Sequence, residues 1–155
     1  MNQKSKLPVK FKNQKNEAIA SLYWTALLLK KISKNFLSPF LSSDAQFNIL
    51  ILLKDNNSPM TQKDLSEKLI VDKSNITGLI DRMEKLKLLK RTPHKEDSRS
   101  YIIQLTPKGL HLATKMDSIY MEKINEVMSQ FSEEEIKKYI RFNEKIREGL
   151  ISLES

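Results

Sequence analysis

Apolar side chains recur at three- and four-residue intervals over most of the chain, and that spacing predicts helices. From about 14 to 36 the pattern is carried by Ile19, Leu22, Tyr23, Ala26, Leu27, Leu29 and Phe36. Ser38-Pro39 marks the break. A second helix has a written start. Ser43 with Gln46 three residues on is a capping box, in which each side chain closes an orphan N–H. Phe47, Ile49, Leu50, Leu52 and Leu53 supply its apolar face, and the cluster from Asp55 to Pro59 ends it. Thr61 caps a short third helix, with Asp64 at the positive end of its dipole. Leu65 and Leu69 lie one turn apart there, Ile70-Val71 is a tight connector, and Asp72 caps a fourth helix reaching about Leu89. Its buried stripe is Ile76, Leu79, Ile80, Met83, Leu86 and Leu88. The other side is Lys73, Ser74, Asn75, Thr77, Gly78, Asp81, Arg82 and Lys85.

The period then changes. Lys90-Arg91-Thr92 is extended and ended by Pro93, and the stretch from His94 to Ser98 is polar and turn-prone. Tyr101, Ile103 and Leu105 alternate with Ser100, Ile102 and Gln104, with Ile102 the exception. This is a hairpin with an exposed tip, and a hairpin directly after a helix-turn-helix reads as a wing. Thr106 caps the next helix with Pro107 at its first position. Leu110, Ala113, Met116, Ile119, Tyr120, Ile124, Val127 and Met128 carry it to about 130. Ser132 and Glu135 form another capping box before a helix with Ile136, Tyr139, Ile140, Ile146, Leu150 and Leu153. The expected fold is mainly α with a small β-hairpin wing: a winged helix-turn-helix flanked by N- and C-terminal dimerisation helices. Four segments follow: a flexible basic extension at 1–13, N-terminal helices at 14–57, the winged reader at 58–106 and C-terminal helices at 107–155. The terminal helices carry apolar stripes that one winged helix cannot cover, and a second copy would bury them. A two-fold dimer would also set two reader helices on successive major-groove turns of a palindromic site.

Charge sharpens this only in part. The 155 residues carry 27 Lys+Arg against 19 Asp+Glu, a net +8, which favours an anionic partner. Residues 1–36 hold eight lysines and one glutamate, +7, whereas 58–106 hold ten basic and seven acidic side chains, +3. Most of the excess thus lies where a solvated tail explains it as readily as a phosphate-binding arm. The absence of cysteine excludes disulfides, thiol nucleophiles and Cys-ligated zinc. Gly78, Gly109 and Gly149 are too scattered for a phosphate-cradling loop, and His94 and His111 alone cannot form a usual zinc site. Glu133-Glu134-Glu135 suits a helix N-terminus better than paired acid–base chemistry. No enzyme activity, cofactor or metal is therefore expected. No apolar run reaches the roughly 18 residues of a membrane helix, so a cytoplasmic protein without a membrane partner is expected.

The polar side of the fourth helix suits DNA. Ser74, Asn75, Thr77 and Gly78 are small or polar, as base edges require, while Lys73 and Arg82 suit phosphates. Asn can bond adenine bidentately and Thr can touch a thymine methyl. The wing tip offers His94, Lys95, Ser98 and Arg99, and arginine suits the narrow minor groove. Asp97 can hold Arg99 in a fork-like pair, or the two form an ordinary surface ion pair.

In this order and spacing the residues resemble the MarR family of bacterial winged-helix regulators, over roughly 15–153. The resemblance rests on Asp97-x-Arg99 followed by Leu105-Thr106-Pro107-Lys108-Gly109, on the spacing from Arg91, and on the stretch from Asp72 to Lys85. Thr61-Gln62-Lys63-Asp64-Leu65 and Gln46 add to it. The resemblance implies a homodimer joined through its terminal helices. Ser74, Asn75, Thr77 and Gly78 would approach base edges, Thr61, Gln62, Lys63 and Arg82 would mainly contact phosphates, and Arg99, oriented by Asp97, would reach the minor groove or its backbone. It further implies repression at a palindromic operator and release by a small aromatic or lipophilic effector. Two features depart from the family. Lys87 stands where a glycine usually ends the reader helix, so it must take a left-handed backbone or the helix ends differently. The lack of cysteine rules out the thiol-switched branch, and Met83, Met116 and Met128 at helical spacing read as core. The alternative reading is a winged-helix architectural or protein-interaction module with weak, non-specific DNA binding.

Overall fold

Local capping chemistry places most helix starts where the pattern predicts them. The computed structural model describes residue 7 and residues 9–56, 58–69, 73–94 and 100–153. Its elements are α1 (Gln14–Leu37), α2 (Asp44–Asp55), β1 (Met60–Thr61), α3 (Gln62–Leu69), α4 (Lys73–Lys85), β2 (Leu89–Pro93), β3 (Tyr101–Leu105), α5 (Pro107–Met128) and α6 (Glu133–Ile151). The chain divides into two compact units, Met1–Met116 and Asp117–Ser155.

Asn13 caps α1 by accepting from the Asn16 N–H at 2.9 Å. At α2 the expected box is only half made. Ser43 Oγ accepts from the Gln46 N–H, but the Gln46 side chain reaches one residue further back. Its Oε1 accepts from both the N–H and the hydroxyl of Ser42, at 2.8 and 2.9 Å. Gln46 is almost fully buried, and burial demands such satisfaction. Thr61 and Asp64 form a tighter unit at α3 than a one-sided cap. The Thr61 N–H and hydroxyl both donate to Asp64 Oδ2, at 2.7 and 2.8 Å, and Thr61 Oγ1 accepts from the Asp64 N–H. These bonds to the Thr61 N–H and then its hydroxyl hold the Asp64 carboxyl below its ordinary value of 3.8, against the opposing effect of burial. The reciprocal box of Ser132 and Glu135 is complete at α6. The connector Ile70-Val71 and the Asp72 cap lie outside the described residues, as do Lys4 and Lys6 of the basic extension.

The core lies wholly in the first unit. Leu37, Ile49, Leu50, Met60, Leu65, Ile76, Ile80, Met83, Ile103 and Met116 are each at most 2% exposed. Each such side chain contributes on the order of 1.5–3 kcal/mol of burial free energy. Met83 and Met116 are core, as their spacing predicts; Met128 is half-buried. The wing differs from a plain hairpin. β3 is the centre of a three-stranded antiparallel sheet in the order β1-β3-β2, with Met60 opposite Ile103 and Thr61 opposite Ile102. A two-residue strand is too short to show alternation, so periodicity does not reveal β1. Of Tyr101, Ile103 and Leu105, only Ile103 is fully buried; Tyr101 is exposed.

The fourth helix ends four residues before the expected boundary. Leu86 N–H donates to Arg82, Lys87 N–H to Glu84 at 2.8 Å, and Leu88 N–H to Met83 at 2.9 Å. That pair of closing bonds is a Schellman motif, with Lys87 at φ 57, the one non-glycine residue of positive φ among those described. Lys87 thus takes the left-handed backbone. The turn swings Leu86 out to solvent, against the expectation that it is buried, and sends Leu88 and Leu89 into the core.

The same turn is gripped from the start of α5. Thr106 N–H donates to the Leu88 carbonyl at 3.0 Å. Its hydroxyl donates to the Lys87 carbonyl at 2.7 Å and accepts from the Gly109 N–H at 3.0 Å. Lys108 Nζ donates to the Leu86 carbonyl at 2.9 Å. Gly109 lies directly against Leu88: a Cβ there would overlap the Leu88 carbonyl oxygen and stand 3.3 Å from Leu105 Cδ2.

Two outcomes follow for stability. Gly109→Ala should lower the urea midpoint by the equivalent of about 1–3 kcal/mol, since the Leu88 backbone must shift. Lys87→Gly should raise it, by roughly 0.5–1 kcal/mol, because relief of the left-handed strain exceeds the added chain entropy. For Asp64 the folded pKa is depressed, so its contribution is fully present above the ordinary value of 3.8 and is lost as pH falls through the lowered folded value. The stability gap between the native chain and Asp64→Asn should therefore narrow as pH drops below about 4. A gap that stays constant in acid would contradict this assignment.

Candidate nucleic-acid interface

Packing of α3 against α4 leaves one side of α4 in solvent, and the candidate residues Asn75, Thr77 and Gly78 lie there. Ile76, Ile80 and Met83 point into the core with no exposure, and Leu79 is 7% exposed. Asn75, Thr77 and Arg82 are exposed, and Gly78 is half-buried. Lys73 and Ser74 are in the first turn of α4 by backbone, and their side chains are outside the described set. The wing-tip candidates Lys95, Asp97 and Arg99 lie outside the described residues too. What is described of the wing is its stem, closed by the His94 N–H donating to the Ser100 carbonyl at 3.0 Å.

The helix-turn-helix candidates are linked to one another. Gln62 Nε2 donates to Thr77 Oγ1 at 2.6 Å across the two helices. Gln62 is therefore positioned to fix Thr77. Lys63 lies 4.0 Å from Glu67 Oε1, with both side chains more than half exposed, a contact of about 0–1 kcal/mol at such a site. Arg82 Nη1 passes over Gly78, 3.9 Å from where a Cβ would sit. The hydroxyl of Thr61 donates to Asp64, so Thr61 serves the cap of α3.

One constellation escapes sequence reasoning. Arg91 on β2 places Nη2 2.5 Å from Asp81 Oδ1, and its Nη1 bonds Glu84 Oε2. Its backbone N–H donates to Glu84 Oε1 at 3.2 Å. Burial works against the Arg91 charge, but the bonds to Asp81 and Glu84 outweigh it and raise the pKa. The positions are 7 and 10 residues apart, which matches no local rule, so only the sheet brings them together. The available signal was weak: two acids in the last turns of a helix, where the dipole disfavours them.

Away from this face, a cleft of about 300 Å³ opens beside Lys30 of α1, Ser43 at the cap of α2, Asp44, Ala45 and Asn48 of α2, and Leu69 of α3. Among the described residues no group of three or more His, Asp or Glu side chains could hold a metal ion. Among the described residues no helix is long and apolar enough to cross a membrane.

Comparison with known proteins agrees with this geometry. Residues 43–101 match the model of the MarR family. The chain is 30% identical over 119 residues to the HTH-type transcriptional regulator PecS of Dickeya dadantii, covering 76% of this chain and 72% of PecS. It is 27% identical over 126 residues to the HTH-type transcriptional repressor YetL of Bacillus subtilis, covering 81% and 75%. The crystal structure of the S. aureus MepR–DNA complex superimposes with a TM-score of 0.76 at 25% identity, over 83% of this chain and 94% of that one. This chain belongs to the MarR family and is a DNA-binding, winged helix-turn-helix transcription regulator.

Proposed function

We propose that the protein is a homodimeric repressor that binds a palindromic operator and is released by a small aromatic or lipophilic effector, acting in the cytoplasm. Residues 58–106 bind the DNA, and the helices of 14–57 and 107–155 hold two copies together. Ser74, Asn75, Thr77 and Gly78 read base edges. Thr61, Gln62, Lys63, Lys73 and Arg82 grip phosphates, and Lys95 and Arg99, with Asp97 orienting the arginine, serve the wing.

The observation that carries base reading is Gly78. A glycine inside a helix costs about 1 kcal/mol relative to alanine. Nothing among the described residues requires it. Its φ is not positive, and an added Cβ would only reach ordinary contact with the end of Arg82. The residue makes sense where a second surface approaches the backbone of α4 closely, and a major groove is such a surface.

Dimerisation is supported by what the terminal helices leave uncovered. In α1, Ile19, Tyr23, Leu27, Leu28 and Ile32 are 43–62% exposed, and α6 has no buried residue at all. Tyr139, Ile140, Phe142, Leu150 and Ile151 of α6 are 49–67% exposed. Apolar area of this extent is uncommon on a monomer. For the effector, the cleft beside Lys30, Asn48 and Leu69 touches α1, α2 and α3 together. A ligand there can act by binding the DNA-competent and incompetent arrangements unequally.

Footprinting on the protein's own upstream DNA should reveal a protected palindrome, and its absence throughout genomic DNA at low salt would count against specific regulation. Asn75→Ala should cost about 1–3 kcal/mol of discrimination between operator and random duplex; an architectural module would show no change. Gly78→Ala should raise fold stability by up to about 1 kcal/mol while weakening operator binding. Sedimentation should give twice the 18.0 kDa chain mass, and Ile140→Asp should shift it towards monomer. A native chain that sediments as a monomer at micromolar concentration would refute the dimer.

A further inference from the structure

Asp81 follows Thr77 by four residues on α4, so the two share one stripe of that helix. Glu84 lies one turn further on. Their side chains are 48% and 38% exposed, and both sit in the C-terminal half of the helix, the end where the dipole is unfavourable to acids. A carboxylate on a surface that meets a phosphate backbone is repelled by it, strongly at low salt. Two acids on the reading helix therefore work against both the helix and its use.

Arg91 answers both acids at once. Its guanidinium lies on Asp81 and Glu84, and its own N–H adds a third bond to Glu84. At 22% side-chain exposure it is largely withdrawn from solvent. Charge-assisted bonds of this kind are stronger than those between neutral groups. A planar fork can serve two carboxylates together, which an ammonium does less well.

We propose that Arg91 is a positioning residue of the DNA interface that acts by cancelling charge. It draws the carboxylates of Asp81 and Glu84 onto β2 and keeps them from opposing the DNA phosphates. Arg91 itself does not contact the nucleic acid. This rests on the DNA-binding reading of α4 given above.

The test uses the full-length protein and a fluorescent mixed-sequence DNA duplex of about three helical turns, titrated at two salt concentrations. R91M should weaken binding about tenfold at low salt, and the deficit should shrink as salt rises and screens the repulsion. In the D81N/E84Q background no acid remains to be covered, so adding R91M should cost less than about threefold. An R91M that binds like the native chain would overturn the proposal. So would a loss of about tenfold or more on adding R91M to D81N/E84Q, since Arg91 would then touch DNA or act through alignment alone. Circular dichroism checks folding, and should R91M alone fail to fold, the comparison within the D81N/E84Q background decides. A native chain that does not bind the duplex at low salt sinks the DNA reading itself, and is distinguished from failure of the Arg91 assignment by that control.

Discussion

The Leu88 carbonyl is the point on which the reading unit turns. It accepts from the Thr106 N–H at 3.0 Å, and Gly109 packs against it too closely to admit a Cβ. Through this one peptide the end of α4, the first residue of β2 and the start of α5 are locked together. Lys87, at φ 57, makes the turn that delivers Leu88 there, and the Thr106 hydroxyl and Lys108 ammonium satisfy the carbonyls that the turn strands. Helix ends leave such carbonyls without intrahelical partners, and here α5 supplies them. A lysine in a left-handed conformation is tolerable because bonds from the end of α4 and from the start of α5 hold the turn on both sides. The pose of the reader helix relative to the wing stem is thereby a property of the backbone, and Arg91 reinforces it from the side-chain level through Asp81 and Glu84.

Stability and use conflict at several places on this scaffold. Gly78 weakens the helix that carries it. The acids Asp81 and Glu84 stand at the disfavoured end of the same helix and need a cation from β2. The apolar faces of α1 and α6 remain in solvent, whereas the core side chains between positions 37 and 116 are closed off from it. The glycine and the bare apolar faces are local losses that make sense against a second surface. For Gly78 the proposed surface is DNA, in keeping with membership of a DNA-binding family, and for the terminal helices it is the proposed second copy. The proposed partners thus fall where the chain's own packing is poorest.

Much of this was legible along the chain because short-range rules apply there. The apolar spacing in α2, α4 and α5, the caps at Thr61, Thr106 and Ser132, and the change to alternation after Lys90 are all relations within about four residues. They suffice for the order of helices, the presence of a wing and the polar side of α4. The glycine-to-lysine departure at position 87 was likewise visible, although whether the helix kept its usual end was not.

What the sequence alone determined is which residues sit on which face: Ile76, Ile80 and Met83 inward, Asn75, Thr77 and Arg82 outward. What the tertiary structure decided depends on residues far apart in sequence. β1 exists because Met60 and Thr61 find Ile103 and Ile102. Gln46 turns back to Ser42, where its burial requires a partner. Gln62 meets Thr77 across the helix pair, and Arg91 reaches two acids on α4. Periodicity reports the direction a side chain faces, since that is set by the local backbone. It cannot report which distant group will be waiting there, because that is set by how the elements pack.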